Sequence, residues 1–195
     1  MNTFYIARHG ETENNRDKRL SGWIDTPLTE DGLVPTETVI RKLVNVQIDA
    51  LYSSDLGRAF ITAYVIARRL GYEGEILRES GLREVNYGDA GNLPSAEAYA
   101  QYPGLDSGTH FVPPNGESLA TMQQRVFDTL NRINEGHTDQ NILLVCHSGV
   151  MAAIRASYIG QDFGAHNISE AYPHDYVGVF QIEDGVVKDF EEYDN

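Results

Sequence analysis

The stretch Thr3-Phe-Tyr-Ile-Ala-Arg8, followed at once by His9-Gly10, decides how the rest of the chain is read. It is apolar and strand-prone between polar flanks, so a short buried strand is predicted there. A second run, Asn141-Ile-Leu-Leu-Val-Cys146, is apolar enough for a central strand covered on both faces, and it too runs into a histidine, His147.

Ala50–Ser53 reads as another short strand and Glu75–Leu77 as a weaker one. Leu56, Ala59, Phe60, Ala63, Ile66, Ala67 and Leu70 recur at helical spacing over Asp55–Leu70, and Gly71 ends the run. Thr29-Glu-Asp-Gly32 reads as a helix start with Thr29 as N-cap, running to about Val44, with Pro35 tolerated near the first turn. Asn115-Gly-Glu-Ser118 caps a long helix through about Ile133, and another begins near Val150. Val177–Ile182 and Val186–Phe190, joined across Glu183-Asp-Gly185, form a hairpin. Strands alternating with helices predict an α/β fold: a three-layer sandwich with a mostly parallel central sheet and helices on both faces. Residues 1–195 are expected to form one domain. Residues 82–115 read as irregular, with one short helix near Pro94–Tyr102, and the segment at about 85–115 as a small, loosely structured lid insertion.

Composition narrows the function. A formal charge of −14 disfavours nucleic-acid binding, which needs a basic face, and residues 183–195 carry six carboxylates against Lys188 alone. Hydrophobic content of 41% and charged content of 23% are those of a globular protein. No run approaches the roughly 20 apolar residues of a membrane span, and nothing resembles a signal peptide. The single Cys146 cannot form an intramolecular disulfide, so a reducing cytoplasm is the expected location, and a buried core thiol its expected role. Any phosphate site must be a local positive pocket in a negative protein.

Sites in such sheets lie beyond the carboxyl ends of strands, and parallel topology brings the tips bearing His9 and His147 to one edge. Around them the motifs accumulate in order. Arg8-His9-Gly10-Glu11-Thr12 arises by chance in such a chain on the order of once in ten thousand at average usage. It resembles the signature of the histidine phosphatase superfamily, the phosphoglycerate-mutase-like enzymes. Asn15, Gly22-Trp-Ile-Asp-Thr-Pro-Leu-Thr-Glu-Asp-Gly32, Tyr52-Ser-Ser-Asp-Leu-Gly-Arg58-Ala, Leu82-Arg-Glu84, Gly88, Gly116-Glu-Ser118 and Val145-Cys-His147-Ser-Gly149 follow in the family's sequence. The resemblance covers roughly residues 3–155.

The resemblance implies a nucleophile, His9, and the residue types fit. A neutral imidazole attacks phosphorus, and phosphohistidine divides one hard displacement into two easier ones. Arg8 and Arg58 suppress protonation of His9 and grip the phosphate through forked donors. Asn15 is a further phosphate donor by the resemblance, and His147, at a helix N-terminus, is placed to donate to equatorial oxygens. Glu84 is the candidate general acid, because like-charge repulsion from a bound phosphate dianion keeps its carboxyl protonated; an ion pair with Arg83 or a solvated loop position is the plainer reading. Ser21, Gly22 and Tyr87 are the candidate substrate contacts, and Tyr99, Tyr102 and Phe111 are further candidates for the pocket wall. Trp23 reads as a loop anchor. His110, His137, His166 and His174 show no metal-ligand spacing, so no metal and no cofactor is expected.

The function expected is hydrolysis of a small phosphate monoester. The alternatives are a cofactor-dependent phosphoglycerate mutase and a binding-only relative that has lost catalysis. Every residue needed for chemistry is present, which disfavours the last. No Lys or Arg occurs from Glu84 through Gln124, while Glu97, Asp106 and Glu117 lie there, so the lid suits a bisphosphate poorly; Arg16, Lys18 and Arg19 could compensate. The partner expected is a small phosphorylated metabolite, not nucleic acid or membrane, and a homodimer stays open.

Overall fold

The computed structural model describes residues 1–164 and 172–194 of the protein; His166 lies outside them. Among the described residues six strands form one sheet: β1 (Thr3–Arg8), β2 (Ala50–Ser54), β3 (Ile76–Glu79), β4 (Asn141–Cys146), β5 (Val177–Glu183) and β6 (Val186–Glu192), in the order β3-β2-β4-β1-β5-β6. The first four are parallel, and β5 and β6 add an antiparallel edge. β4 lies between β1 and β2, and Ile142 through Cys146 are fully buried, which accounts for its apolar sequence.

Alternation along β1 and β4 divides the core. Tyr5, Ala7, Leu143 and Val145 face α2 (Thr36–Leu43) and α3 (Gly57–Leu70). Phe4, Ile6, Ile142, Leu144 and Cys146 face α6 (Leu119–Glu135) and α7 (Ser148–Tyr158). The layers are those predicted. Ser118 caps α6, and Gly71 ends α3 with φ 72°. The hairpin turn has positive φ at both Asp184 and Gly185, which matches strand twist.

Two local expectations change, and one short element escaped the sequence. Thr29 opens no helix: residues 30–35 form turns and α2 starts after Pro35. The cause is tertiary. Thr29 N–H donates to Glu11 O (2.9 Å) and Glu11 N–H to Gly32 O (3.0 Å), so this backbone is committed to the loop after β1. A Cβ on Gly10 would stand 2.4 Å from Gly32 O. Pro35 has no N–H to continue a helix backwards. The loop after β1 contains a single helical turn, α1 (Glu13–Arg16), closed by a capping box between Thr12 and Asn15; four residues are too few for periodicity to reveal it.

The lid is not loose. It holds a 3₁₀ turn (Gly88–Ala90), α4 (Ser95–Gln101) and α5 (Gly104–Ser107), and Val85, Tyr87, Ala90 and Ala98 join the core beneath α6 and α7. Leu20 bonds the backbone of Asn92 and Leu93, so one irregular segment satisfies another.

Leu144→Ala should cost about 2–5 kcal/mol by opening a cavity in the central strand. Val44→Ala, at a residue 64% exposed, should stay within about 0.5 kcal/mol. Urea denaturation of both variants checks the assigned core.

Candidate active site

β1 and β4 pair with Arg8 opposite Cys146, so the residues that follow, His9 and His147, emerge side by side. His9 N–H donates to Cys146 O (3.0 Å), and the two rings lie 5.1 Å apart. The Nδ1 of His9 is 2.7 Å from Gly10 O. A carbonyl only accepts, so Nδ1 carries the proton and Nε2 presents its lone pair. Arg58 Nε donates to that Nε2 at 3.3 Å. Burial, then the charges of Arg58 and Arg8, hold His9 well below the ordinary histidine range, and the ring is neutral at pH 7.

Arg58 sits in the first turn of α3 with 2% exposure. Its position is set by Asp25, whose carboxylate accepts from Gly57 N–H (2.5 Å) and Arg58 N–H (3.2 Å) at the helix start. The guanidinium donates to Gly22 O (2.7 Å), Ile24 O (3.0 Å) and His147 Nδ1 (3.3 Å), while the carboxylate of Asp25 stays 3.7 Å away. Burial lowers Arg58 from the usual arginine range and brings Arg8 down to about 10. Arg8 donates to Tyr172 O, and its Nε is buried with no partner among the described residues. Two desolvated guanidinium groups beside a neutral imidazole can hold an anion.

His147 is the N-cap of α7 and fully buried. Because a guanidinium can only donate, the Nδ1 facing Arg58 accepts, and Nε2–H donates to Ser54 Oγ at 2.8 Å. This tautomer has no proton on the Arg58 side. Donation to a phosphoryl oxygen from Nδ1 therefore requires proton gain or tautomer exchange.

Glu84 follows the short turn after β3. Its carboxylate accepts from Val85 N–H (3.0 Å) and, across the cleft, from Gly149 N–H (3.1 Å) at the start of α7. A Cβ on Gly149 would fall 2.1 Å from Glu84 Oε1, so only glycine admits this seat. Arg83 pairs with Asp55 (2.6 Å) rather than with Glu84.

A cleft of about 650 Å³ is lined by Arg8, His9, Asn15, Arg58 and Glu84, together with Ser21, Gly22 and Tyr87. Asn15 spends its amide oxygen on Thr12, leaving the nitrogen as donor. Ser21 Oγ is buried with no partner among the described residues. Gly22 has φ 52°, and a Cβ there would meet Val85 O at 2.8 Å. Tyr99 also lines the cleft, Phe111 lines a small neighbouring cavity that shares Tyr87 and Tyr99 with it, and Tyr102 packs against the core.

The sequence model of the histidine phosphatase superfamily, branch 1, matches residues 4–184. The chain belongs to that superfamily. It is 35% identical to phosphoglycerate mutase-like protein 4 of Arabidopsis thaliana, over 92% of this chain and 79% of that one. It is 32% identical to the adenosylcobalamin/alpha-ribazole phosphatase of Escherichia coli K12, over 80% and 78%. Among solved structures, Bacillus stearothermophilus YhfR superposes with a TM-score of 0.86 at 28% identity, covering 96% of this chain and 95% of that one. The superfamily relatives thus include both phosphatases and mutase-like proteins.

Several residues of this histidine-phosphatase site carry no signal that periodicity or charge could reveal. Ser54 and Thr62 are fully buried polar residues; Thr62 Oγ1 donates to Arg58 O (2.8 Å) and accepts from Gly10 N–H (3.0 Å). His174 lines the cleft, bonds His9 O through Nδ1 (2.5 Å) and is lowered to about 4, by burial first and Arg8 next. Trp23, read as an anchor, donates to Glu84 O at 2.8 Å.

His9, His147 and His174 are all depressed, so below the ordinary histidine pKa of about 6.5 the unfolded chain binds more protons than the folded one. Stability present above that pH is lost as pH falls. Tm should drop between pH 7 and about 4.5, with a shallower slope in His174→Gln; scanning calorimetry across that range checks it, and equal slopes would remove His174 from the account.

Proposed function

We propose that the protein is a phosphatase that hydrolyses small phosphate monoesters through a phosphohistidine at His9. One observation carries the reading: a buried, neutral imidazole with its proton tied to Gly10 O and its free Nε2 against Arg58. A phosphoryl group entering there replaces the weak Arg58–His9 bond with contacts to Arg58, Arg8 and the nitrogen of Asn15. His9 Nε2 forms a bond to phosphorus as the ester P–O bond breaks, and the carboxyl proton of Glu84 goes to the leaving alcohol oxygen. A water then attacks phosphorus, giving its proton back to Glu84, and the P–N bond breaks. Ser21, Gly22 and Tyr87 contact the alcohol portion. A phosphatase among the relatives supports hydrolysis.

A second reading, transfer to an acceptor hydroxyl as in a mutase, draws on Lys18 and Arg19, which line the same cleft as His9. A phosphate-release screen run beside a bisphosphoglycerate-dependent mutase assay separates the two.

His9→Ala should lose several orders of magnitude in kcat, whereas Cys146→Ser, at a buried thiol outside the cleft, should retain a substantial fraction. Comparable rates in the two variants would remove His9 from the mechanism. Turnover should persist in EDTA, since guanidinium groups and a helix N-terminus supply the positive charge. Inactivation reversed by Mg²⁺ or Zn²⁺ would overturn that.

Glu84→Gln should slow β-glycerophosphate by about 10²–10⁴-fold, since its alkoxide needs a proton. With p-nitrophenyl phosphate, phosphohistidine formation should suffer far less, giving a burst of nitrophenol followed by slow turnover. Equal loss on both esters, without a burst, would show that Glu84 is not the acid.

A further inference from the structure

Glu84 lies on a segment, residues 83–87, that belongs to no helix or strand. Its carbonyls have no ladder to join, yet its carboxyl must be aimed to a fraction of an ångström for proton transfer. The partner that meets this need comes from α6. Arg125 has five N–H donors, and all five are used. Nη1 donates to Gly81 O (2.9 Å) and Arg83 O (2.7 Å), and Nη2 to Glu84 O (2.7 Å). The remaining two donors hold Glu117 in a forked pair, Nε to Oε2 (3.0 Å) and Nη2 to Oε1 (2.6 Å). Glu117 Oε1 also accepts from Asn86 N–H (2.8 Å), just past Glu84. One guanidinium–carboxylate pair therefore takes three carbonyls and one N–H of residues 81–86.

Two contacts extend the grip. Trp23 Nε1 shares the carbonyl of Glu84 with Arg125, and the Trp23 ring has the Arg83 guanidinium 4.6 Å from its centroid. The turn rests directly on α6: a Cβ on Gly81 would stand 1.8 Å from Thr129 Oγ1. The Glu84 backbone is fixed from the α6 side, and its carboxylate from the α7 side by Gly149 N–H.

We propose that Arg125, locked on Glu117, is a positioning residue for Glu84. It touches no reacting atom and does not line the cleft; it sets where the proton donor stands. The inference rests on the reading of Glu84 as general acid. A clamp that only stabilised the fold would lower Tm and slow every substrate alike. A positioning clamp acts on the proton-transfer step and is felt in proportion to the leaving group's need for a proton.

Arg125→Lys keeps the charge but not the fork, since one ammonium cannot span the three carbonyls and Glu117 together. A misplacement of about 1 Å costs on the order of 10²-fold. Arg125→Lys should therefore lower kcat for β-glycerophosphate about 10–100-fold, while the p-nitrophenyl phosphate burst rate stays within about threefold. Glu117→Gln, which replaces one acceptor by a donor facing the guanidinium, should show the same selectivity and serves if Arg125→Lys folds poorly. On β-glycerophosphate the double variant Arg125→Lys/Glu84→Gln should be no slower than Glu84→Gln alone, because a clamp has nothing to position once the acid is gone.

Equal losses on the two esters, or a loss that multiplies on top of Glu84→Gln, would overturn the proposal. Glu84→Gln measured alongside separates the failures. If it is itself unselective, the acid assignment falls and the positioning role with it; if it is selective and Arg125→Lys is not, only the positioning role falls.

Discussion

The structure is organised around a buried positive charge. Arg58 is 2% exposed, and the carboxylate paired with it stands 3.7 Å away instead of in hydrogen-bond contact. A desolvated guanidinium is costly unless its donors are occupied. Here they are occupied by backbone carbonyls of Gly22 and Ile24 and by the lone pairs of two histidines, all neutral acceptors. Four of its five N–H donors are satisfied by these neutral groups, with the Asp25 carboxylate near the guanidinium but outside hydrogen-bond reach of it. Burial first, and then this charge, keep His9 and His147 neutral, and the arrangement suits an anion.

Holding that charge accounts for much of the surrounding chain. The loop at residues 22–25 supplies two carbonyl acceptors and the Asp25 cap of α3, and Trp23 within it reaches Glu84. The Arg58 and Glu84 sides of the cleft therefore share one short loop. Close approach of backbone makes this compact. Gly10 against Gly32 and Gly149 against Glu84 are positions where a methyl group would collide with the element that has to be there.

The formal charge of −14 sits comfortably with this arrangement. Acidic residues crowd the β5–β6 edge, while the cations that matter are buried at the strand tips, where screening is weak and local charge dominates. No helix among the described residues is long and apolar enough to cross a membrane.

The sequence by itself pointed to the strands, the layers and the meeting of His9 with His147 at one sheet edge, because apolar period is a local quantity and parallel strands end together; the strand order β3-β2-β4-β1-β5-β6 was decided by tertiary structure. It also named Arg8, Asn15, Arg58 and Glu84, through a rare motif and the blocks that follow it. Where α2 starts was not legible: Thr29 has the chemistry of an N-cap, but its N–H is taken by Glu11, 18 residues earlier. The grip of Arg125 on residues 81–86, the carbonyls that hold Arg58, the Ser54 partner of His147 and the seat of Glu84 on Gly149 were likewise decided only by tertiary structure. Most of these depend on a backbone group, and nearly every residue presents the same N–H and C=O to a reader of sequence. Which carbonyl faces which donor is settled only when distant segments pack, and that is where most of the site's geometry resides.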